Sequence, residues 1–402
     1  MSQSPTVKLK RKRVWPIKCG HPWIFSGAVA STEGVDEATD QVVVVDDQGD
    51  VIGHGLFSAN SQIRVRLYER TDTGELEPPG VSFFAERIQR AVVRRAILGL
   101  PGEQTTGYRL INSEGDGLPG AVVDRWEDLV AMQLTTAFMD RHRETFVSAL
   151  QQELGADVAI LEVAAPAAMA RQEGFAPTSG WRGEGRREQV IFRENGVIFE
   201  VDAEAFQKTG HYADMRVHRR WLARRCGGKE VFDGYCYTGG FGLSAACAGA
   251  SRVVCVDSSA AALKALHRNA ELNEVQHLVE AREAKVDDTL RSAYDRGERF
   301  DVIILDPPKL APRKEHKKKA LKVYEALTIQ ALRVLKPQGI IAVGSCSQAI
   351  GPEELERVLG TCCGRDGLWT DVIYRGTQAP DHPVPAGMRE GRYLSLVAAQ
   401  RR

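Results

Sequence analysis

The chain has 402 residues, of which 43% are hydrophobic and 26% charged, and its formal net charge is zero. A single core stops growing at roughly 250–300 residues, so we expect two or three domains in an ordinary globular protein. No apolar run approaches the roughly 20 residues of a membrane span, and the N-terminus lacks the apolar core of a signal peptide. We therefore expect a cytoplasmic protein, and the zero net charge by itself indicates no partner.

The eight cysteines show no C-x-x-C spacing, and several lie in apolar segments that resemble strands or helices. Thiols that form a disulfide framework or a zinc site usually come at recognisable spacings. We therefore expect reduced thiols and no bound metal.

The first predicted domain is a small β domain over residues 1–74. Two β-rich runs within 41–57 flank a hairpin turn, and the segment 63–70 alternates apolar and charged residues. Basic residues precede the first acidic one, Glu33, so this end carries a local positive field. The alternative is a solvated basic tail. The residues predicted to contact RNA phosphates are Lys10, Arg11, Lys12, Arg13, Arg64 and Arg66.

A central α+β domain is predicted over residues 75–190, because helix-like and strand-like segments alternate there with turn signals between them. Its last stretch, 179–188, is rich in glycine and arginine and is typical of a loop or linker. The predicted elements are a helix over 81–100, a turn cluster at 114–120, strands at 121–126 and 129–136, a helix near 139–153 and a strand near 158–163.

Residues 191–402 are predicted to form an α/β domain of the doubly wound type. The strands EVFDGY, RVVCVD, FDVIILD and GIIAVGS are nearly continuous apolar runs, as expected for a parallel sheet that is buried on both faces. Ligands of such sheets bind beyond the carboxyl ends of the strands. The lysine-rich stretch PRKEHKKKALK (312–322) is interpreted as a solvated loop or helix face.

A glycine-rich turn follows the first of these strands. Gly239, Gly240 and Gly242 let the backbone approach a ligand closely, and GFGLSA also satisfies the dinucleotide pattern G-x-G-x-x-A. Asp257 ends the next strand, where a carboxylate can accept hydrogen bonds from two ribose hydroxyls. NAD and S-adenosylmethionine both carry that ribose. Asp233 precedes the turn, and a carboxylate there suits the ammonium and sulfonium of S-adenosylmethionine better than a pyrophosphate.

Two further reactive groups are expected at the same edge of the sheet. Asp306 begins the segment DPPK, in which paired prolines fix an extended turn and remove two backbone donors. Cys346 follows the last of the four strands. Methylation of cytosine C5 needs both groups, because a thiolate must add to C6 while an acid takes up the charge that develops at N3. We predict that Cys346, Asp306 and the nearby cation Lys309 are catalytic; inert packing of the cysteine is the alternative.

Taken together, these motifs resemble those of the class I S-adenosylmethionine-dependent methyltransferases that modify cytosine C5 in large-subunit rRNA. The resemblance covers nearly the whole chain. It implies an RNA-binding PUA domain, a central α+β domain and a Rossmann-like catalytic domain. The segments that carry it are HPWIFSGAV (21–29), EGDGLPGAVVDRW (114–126), FQKTGHYADMR (206–216), CYTGGF (236–241), DPPK (306–309), SCS (345–347) and DHP (381–383).

The resemblance also implies which residues bind S-adenosylmethionine. One group surrounds the methionine end, a second holds the ribose, and a third closes over the cofactor. These groups are Asp233, Tyr237, Thr238, Gly239, Gly240 and Phe241; then Asp257 and Ser258; then Gln207, Lys208, Thr209 and Asp214; Asp287 and Asp306 complete the predicted set.

The chain departs from the family pattern near the adenine and in the segment before the catalytic domain. Lys285 stands where the family has an acidic residue, and Asp287 or Asp288 would replace that residue if the register shifts. The usual glycine, aromatic pair and glutamine are replaced by Phe206, His211, Tyr212 and Met215.

The predicted function is methylation of RNA, with 5-methylcytosine in large-subunit rRNA as the product. Three alternatives remain open: an RNA methyltransferase acting on an exocyclic nitrogen, a nucleotide-dependent oxidoreductase, and an RNA-binding assembly factor with a degenerate cofactor pocket. The nitrogen enzymes need an aromatic platform after the paired prolines, where this chain has Lys309 and Leu310. The predicted partner is RNA and not a membrane. The oligomeric state stays open, with a homodimer as one option.

Overall fold

The computed structural model of the protein describes residues 4–202 and 210–402, so the predicted cofactor contacts Gln207, Lys208 and Thr209 lie outside the described residues. The predicted domain boundaries stay predictions. No helix in the described ranges is long and apolar enough to cross a membrane. The chain divides into two compact units, the first made of Met1–Phe192, Val201–His211 and Pro380–Gly391, and the second of Arg193–Glu200, Tyr212–Ala379 and Arg392–Arg402.

The first unit begins with six strands and one helix: β1 (Thr6–Leu9), α1 (Arg11–Lys18), β2 (Trp23–Phe25), β3 (Val29–Glu33), β4 (Gln41–Val45), β5 (Val51–Phe57) and β6 (Ile63–Glu69). The strands form one sheet in the order β2-β6-β5-β4-β1-β3, in which only β1 and β4 are parallel. Val14 and Ile17 of α1 pack with Val42 and Val65 of the sheet. The predicted small β domain is confirmed, and its basic start is a helix instead of a tail.

The first unit continues with an α+β part: α2 (Val81–Ile97), β7 (Gly107–Asn112), β8 (Ala121–Trp126), β9 (Leu129–Leu134), α3 (Ala137–Arg141), α4 (Arg143–Leu154), β10 (Ala159–Glu162), α5 (Ala167–Glu173) and β11 (Gly180–Arg182). The sheet order is β11-β10-β9-β8-β7. The core includes Phe83, Phe84 and Phe146, which come from α2 and α4. The prediction of a loop over 179–188 is wrong for 180–182, because β11 pairs with β10.

The second unit contains a seven-stranded sheet flanked by helices. β12 (Gln189–Glu194) and β13 (Val197–Asp202) pair only with each other, in a two-stranded sheet. The remaining elements are α6 (Arg216–Ala223), β14 (Glu230–Gly234), α7 (Gly240–Cys247), β15 (Arg252–Asp257), α8 (Ala260–Leu272), β16 (Val279–Glu283), α9 (Val286–Asp295), β17 (Phe300–Leu305), α10 (Lys317–Val334), β18 (Leu335–Ser345), α11 (Pro352–Arg365), β19 (Thr370–Gly376) and β20 (Ser395–Arg401).

The large sheet has the order β16-β15-β14-β17-β18-β20-β19, which confirms the predicted doubly wound α/β fold. Its first five strands are parallel, and β20 runs antiparallel to both neighbours. The chain moves outward from β14 through β15 to β16 and then returns to β17 on the other side of β14. This reversal opens a crevice at the carboxyl ends of β14 and β17, where such folds bind ligands.

Candidate active site

The turn between β14 and α7 has an unusual backbone. Tyr235, Tyr237 and Gly239 have φ values of 66°, 50° and 91°, in the left-handed region. For a residue with a side chain, that conformation is less favourable by roughly 1–2 kcal/mol, and such backbone strain is concentrated at functional sites. The turn is held from β15: the N–H groups of Tyr235 and Cys236 donate to the carbonyl oxygen of Val256 at 2.9 and 3.1 Å.

Asp233 lies beneath this turn, and only 1% of its surface is exposed. Its Oδ2 accepts a hydrogen bond of 2.7 Å from the N–H of Gly242 in α7. A Cβ at Gly242 would lie 2.4 Å from Cys255 Sγ and 3.1 Å from Asp233 Oδ2, so only glycine allows this approach. Burial raises the pKa of Asp233 to about 7, assisted by the charge of Asp306 and opposed by the Gly242 hydrogen bond. The carboxyl therefore changes charge near neutral pH.

Asp257 connects the glycine turn to the start of α8. Its Oδ2 accepts from the N–H of Tyr237 and its Oδ1 from the N–H of Ser259, each at 2.9 Å. The side chain is half-buried, and a carboxylate oxygen that accepts one bond can accept another. Ser258, the next residue along the chain, is exposed. The geometry fits the two vicinal hydroxyls of a ribose.

Asp214 is a third carboxylate of this site. Its Oδ2 accepts a hydrogen bond of 2.7 Å from the hydroxyl of Tyr393. Its Oδ1 is buried and has no hydrogen-bond partner within residues 4–202 and 210–402. A buried acceptor without a donor is unfavourable by roughly 1–3 kcal/mol, more when it is charged. A ligand ammonium group would satisfy it, so the residues present fit the methionine end of S-adenosylmethionine.

Tyr212 lies close to the acidic groups of the site. Burial raises the pKa of its hydroxyl to about 12, and the negative charges of Asp214, Cys346, Asp306 and Asp257 add to the effect, in that order. The Tyr212 hydroxyl therefore lies within electrostatic range of the carboxylates predicted to bind the cofactor and of the predicted catalytic pair. Sequence reasoning noted Tyr212 only as a departure from the family pattern.

Arg219 supports the glycine turn from α6 and was missed by sequence reasoning. Its Nε and Nη2 donate to the two carboxylate oxygens of Glu194 at 2.6 and 2.9 Å, and Nη2 also donates to the carbonyl oxygen of Tyr212 at 2.5 Å. The guanidinium lies 5.8 Å from the ring centre of Phe241. A Cβ at Gly240 would lie 2.8 Å from its Nη1. Arg219 therefore fixes three parts of the site relative to one another.

Asp306 and Cys346 follow adjacent strands, β17 and β18, whose register pairs Leu305 with Val343. A Cβ built at Gly344 would lie 2.5 Å from Asp306 Oδ1, so the carboxylate rests against the glycine two residues before Cys346. Both side chains are half-buried. The structure therefore brings the predicted acid and the predicted nucleophile to the same corner of the sheet.

The other predicted site residues occupy less enclosed positions. Lys309 is exposed, whereas Leu310 packs against the core. Thr238 accepts a 3.3 Å hydrogen bond from Asn269 at its carbonyl oxygen, which braces the turn. Asp287 forms an ion pair with Arg291 of its own helix. The exposed Lys285 precedes α9.

Four of the predicted RNA contacts are accessible. Lys10, Arg11, Lys12 and Arg13 are all exposed at the start of α1, and the first of them donates to the carbonyl oxygen of Gly27 at 3.0 Å.

The other two predicted RNA contacts need correction, because their guanidinium groups have internal partners. Arg66 is buried and donates to Glu173 Oε1 at 2.6 Å. Arg64 donates to the carbonyl oxygens of Ser58 and Ala59. The sequence alternation along β6 is real, but Arg66 is covered by Glu173 of α5, and the half-buried Arg64 is bound to the loop that precedes β6. We therefore remove Arg64 and Arg66 from the candidate RNA contacts.

Two family models match the chain: a PUA-like domain over residues 7–70 and an S-adenosylmethionine-dependent methyltransferase over residues 128–368. The chain belongs to this methyltransferase family. It is 36% identical to ribosomal RNA large subunit methyltransferase I of Tolumonas auensis over 97% of the chain and 98% of that protein. The same protein of Shewanella denitrificans is also 36% identical, over 98% of both chains.

The fold of the whole chain also matches a solved structure. SMU.776, a methyltransferase crystallised in complex with SAH, superposes with a TM-score of 0.82 over 98% of this chain and 99% of its own, at 21% identity. The predicted fold class, the enzyme class and the cofactor S-adenosylmethionine are confirmed. The oxidoreductase alternative is wrong, because the G-x-G-x-x-A pattern belongs here to a methyltransferase turn.

Proposed function

We propose that this enzyme methylates C5 of a cytosine in large-subunit rRNA and that Cys346 is its nucleophile. The names of the full-length relatives support the RNA substrate, as does the PUA-like domain. The observation that carries the C5 chemistry is the corner where Asp306 rests against Gly344, two residues before the half-buried Cys346. A methyltransferase acting on nitrogen would need no thiol at this place.

The proposed cofactor contacts follow from the carboxylates of the site. Bound S-adenosylmethionine supplies an electrophilic methyl group carried on a sulfonium. Asp257 and Ser258 would accept hydrogen bonds from the ribose hydroxyls, and Asp214 Oδ1 would accept from the ammonium group. Asp233, beneath the turn, adds negative charge without direct access to solvent. Gln207, Lys208 and Thr209 remain predicted contacts.

Cys346 and Asp306 are proposed to activate the pyrimidine ring for methylation. The Cys346 thiolate adds to C6, and Asp306 stabilises the negative charge that develops at N3 by proton donation, so that C5 becomes nucleophilic. C5 would take the methyl group that bound S-adenosylmethionine supplies, as the bond from that group to the sulfonium sulfur breaks. Loss of the C5 proton to a base would then expel the Cys346 thiolate, and return of the N3 proton to Asp306 would restore the ring. A free thiol has a pKa of about 8.5, so a cation such as the predicted catalytic Lys309 would have to approach Cys346 to favour the thiolate.

The closest alternative is methylation of an exocyclic nitrogen. The two residues after the paired prolines are the exposed Lys309 and the core residue Leu310, so this loop supplies no aromatic side chain to stack a base. The loop therefore disfavours methylation of an exocyclic nitrogen, and a requirement for the Cys346 thiol would exclude it.

The test compares Cys346→Ser with Cys19→Ser, which removes an exposed thiol elsewhere in the chain. We expect Cys346→Ser to abolish methyl transfer to large-subunit rRNA and to leave S-adenosylmethionine affinity unchanged by calorimetry, while Cys19→Ser stays active. RNA containing 5-fluorocytidine should trap a covalent complex with wild type, because fluorine cannot leave as a proton does, and none with Cys346→Ser. Full activity of Cys346→Ser would exclude the C5 mechanism.

A further inference from the structure

A run of exposed cations follows the catalytic loop. Residues 309–322, which we call the basic segment, carry seven lysine and arginine residues and one acidic residue, Glu315. Arg313 lies 3.6 Å from this carboxylate, and Lys317 pairs with Glu354 at 2.7 Å. Five other lysines are exposed and form no ion pair with any residue in the described ranges: Lys309, Lys314, Lys318, Lys319 and Lys322.

The basic segment is fixed next to the predicted nucleophile. Ala311 is buried, and its N–H donates to the hydroxyl oxygen of Ser347, one residue after Cys346, at 3.1 Å. Two turns into α10, the hydroxyl of Tyr324 donates to the carbonyl oxygen of Gly344 at 3.1 Å. These two contacts flank the first turn of α10 along the chain and tie both sides of it to the end of β18, at the carboxyl edge of the sheet.

The charges of this first turn oppose the stability of the helix. α10 begins with three consecutive lysines and has no acidic residue in its first turn, whereas the first turns of α9 and α11 in the same unit each carry two acidic residues. A helix N-terminus carries roughly half a positive charge, so anions there are stabilising and cations are not. Folding alone would favour acidic residues at these three positions. The lysines and the helix terminus together concentrate positive potential beside Cys346.

We propose that the basic segment binds phosphates of the RNA nucleotides that flank the target base. This inference rests on the proposed function, because it takes RNA as the polyanion that reaches Cys346. Phosphate contacts position a nucleic acid without reading its sequence, and lysine side chains on a helix terminus suit that task. The segment would hold the strand on both sides of a base inserted beside Asp306.

The test uses the full chain and protein-free large-subunit rRNA as the probe. Lys318→Ala/Lys319→Ala removes two cations at the start of α10, and Arg224→Ala/Arg333→Ala removes two exposed cations elsewhere in the same unit, one of them at the other end of that helix. The association constant is measured between about 50 and 200 mM salt. The logarithm of this constant falls linearly with the logarithm of salt concentration. In the lysine variant the negative slope should be shallower by about 1.4–1.8, since each lost phosphate contact removes about 0.7–0.9 from its magnitude. The arginine variant should keep the wild-type slope.

A second measurement separates lost contacts from lost folding. The melting temperature of the lysine variant should equal or exceed that of wild type, because the substitution relieves the repulsion at the helix terminus. Weaker RNA binding by a protein that is at least as stable would support the phosphate surface. A slope equal to that of wild type, or an equal decrease in the arginine variant, would overturn it. Binding is measured without catalysis, so failure of the C5 mechanism would leave this result interpretable.

Discussion

The buried carboxyl of Asp233 gives the sharpest test of how the cofactor site works. Substitution by asparagine keeps the size of the side chain and an oxygen that can accept the 2.7 Å bond from Gly242 N–H. It removes only the ability to ionise. Because ionisation of a fully buried group is unfavourable, the variant should change how stability depends on pH.

The magnitude follows from the pKa. Burial raises the pKa of Asp233 from 3.8 to about 7 in the folded protein, so the folded state binds more protons than the unfolded chain between these values. Stability contributed by the protonated form is fully present below pH 3.8 and is lost as pH rises through about 7. Each pKa unit corresponds to about 1.4 kcal/mol, so the total loss is ~4 kcal/mol. The Asp233→Asn protein should therefore gain ~4 kcal/mol relative to wild type between pH 4 and pH 8.

Urea denaturation at a series of pH values measures this difference. Asp301→Asn is the matched control in β17: burial opposes ionisation of that group, but the Glu230 N–H and Lys336 outweigh it and lower its pKa. The free-energy difference between Asp301→Asn and wild type should be constant from pH 5 to 8.5, because a lowered pKa acts only at more acidic pH. Parallel stability curves for Asp233→Asn and wild type would refute the burial of an ionisable group beneath the turn.

Cofactor binding provides a second observable for the same group. A cation brought near Asp233 favours its ionised form, so binding of S-adenosylmethionine at pH 7 should release about half a proton from a group whose pKa is about 7. Calorimetry in buffers of different ionisation enthalpy counts these protons. Asp233→Asn should release fewer protons by this amount, and equal proton release would show that the ligand charge does not reach Asp233.

Three other substitutions test separate parts of the structure. Asp257→Ala should weaken S-adenosylmethionine binding by about 1.5–3 kcal/mol, the range for hydrogen bonds to a charged group, and unchanged affinity by calorimetry would remove the ribose assignment. Gly242→Ala places a Cβ 2.4 Å from Cys255 Sγ, so it should displace the turn and abolish cofactor binding; a normal affinity would contradict the close approach. Arg66→Ala leaves Glu173 buried without its partner and should lower the free energy of unfolding by about 3–5 kcal/mol, while the salt dependence of RNA binding stays that of wild type.

Much of the catalytic fold could be predicted because buried parallel strands leave a strong local signal. The run Val253–Val256 is apolar at every position, and all four side chains are buried. Once the strands are placed, their carboxyl ends share one edge, so the meeting of Asp306 and Cys346 follows from topology. The glycine turn is equally local, since Gly239 and Gly242 are required by backbone geometry.

Other features had no local signal. Arg219 and Glu194 are 25 residues apart, and nothing in either segment indicates that they form a buried ion pair. The alternation in β6 shows that Arg66 lies on one face but not that Glu173 of α5 covers it. Likewise, Asp381 accepts a 3.0 Å hydrogen bond from Arg109 N–H although 272 residues separate them, so the return of this late segment to the first unit is a purely tertiary fact.

The charges of the site also explain why it suits S-adenosylmethionine better than NAD, although the glycine pattern is compatible with both. Asp214, Asp257 and Asp306 all raise the pKa of Tyr212, and Asp257 and Asp306 also raise that of Asp233, which places four carboxyls in one region of the unit. One of them, Asp233, has a pKa raised to about 7, and another, Asp214, has a buried oxygen with no donor among residues 4–202 and 210–402. A pyrophosphate would add two negative charges to this set, whereas an ammonium and a sulfonium would reduce the repulsion and supply the missing donor. The electrostatics therefore favours a cationic cofactor even where the glycine pattern alone does not distinguish it from a dinucleotide.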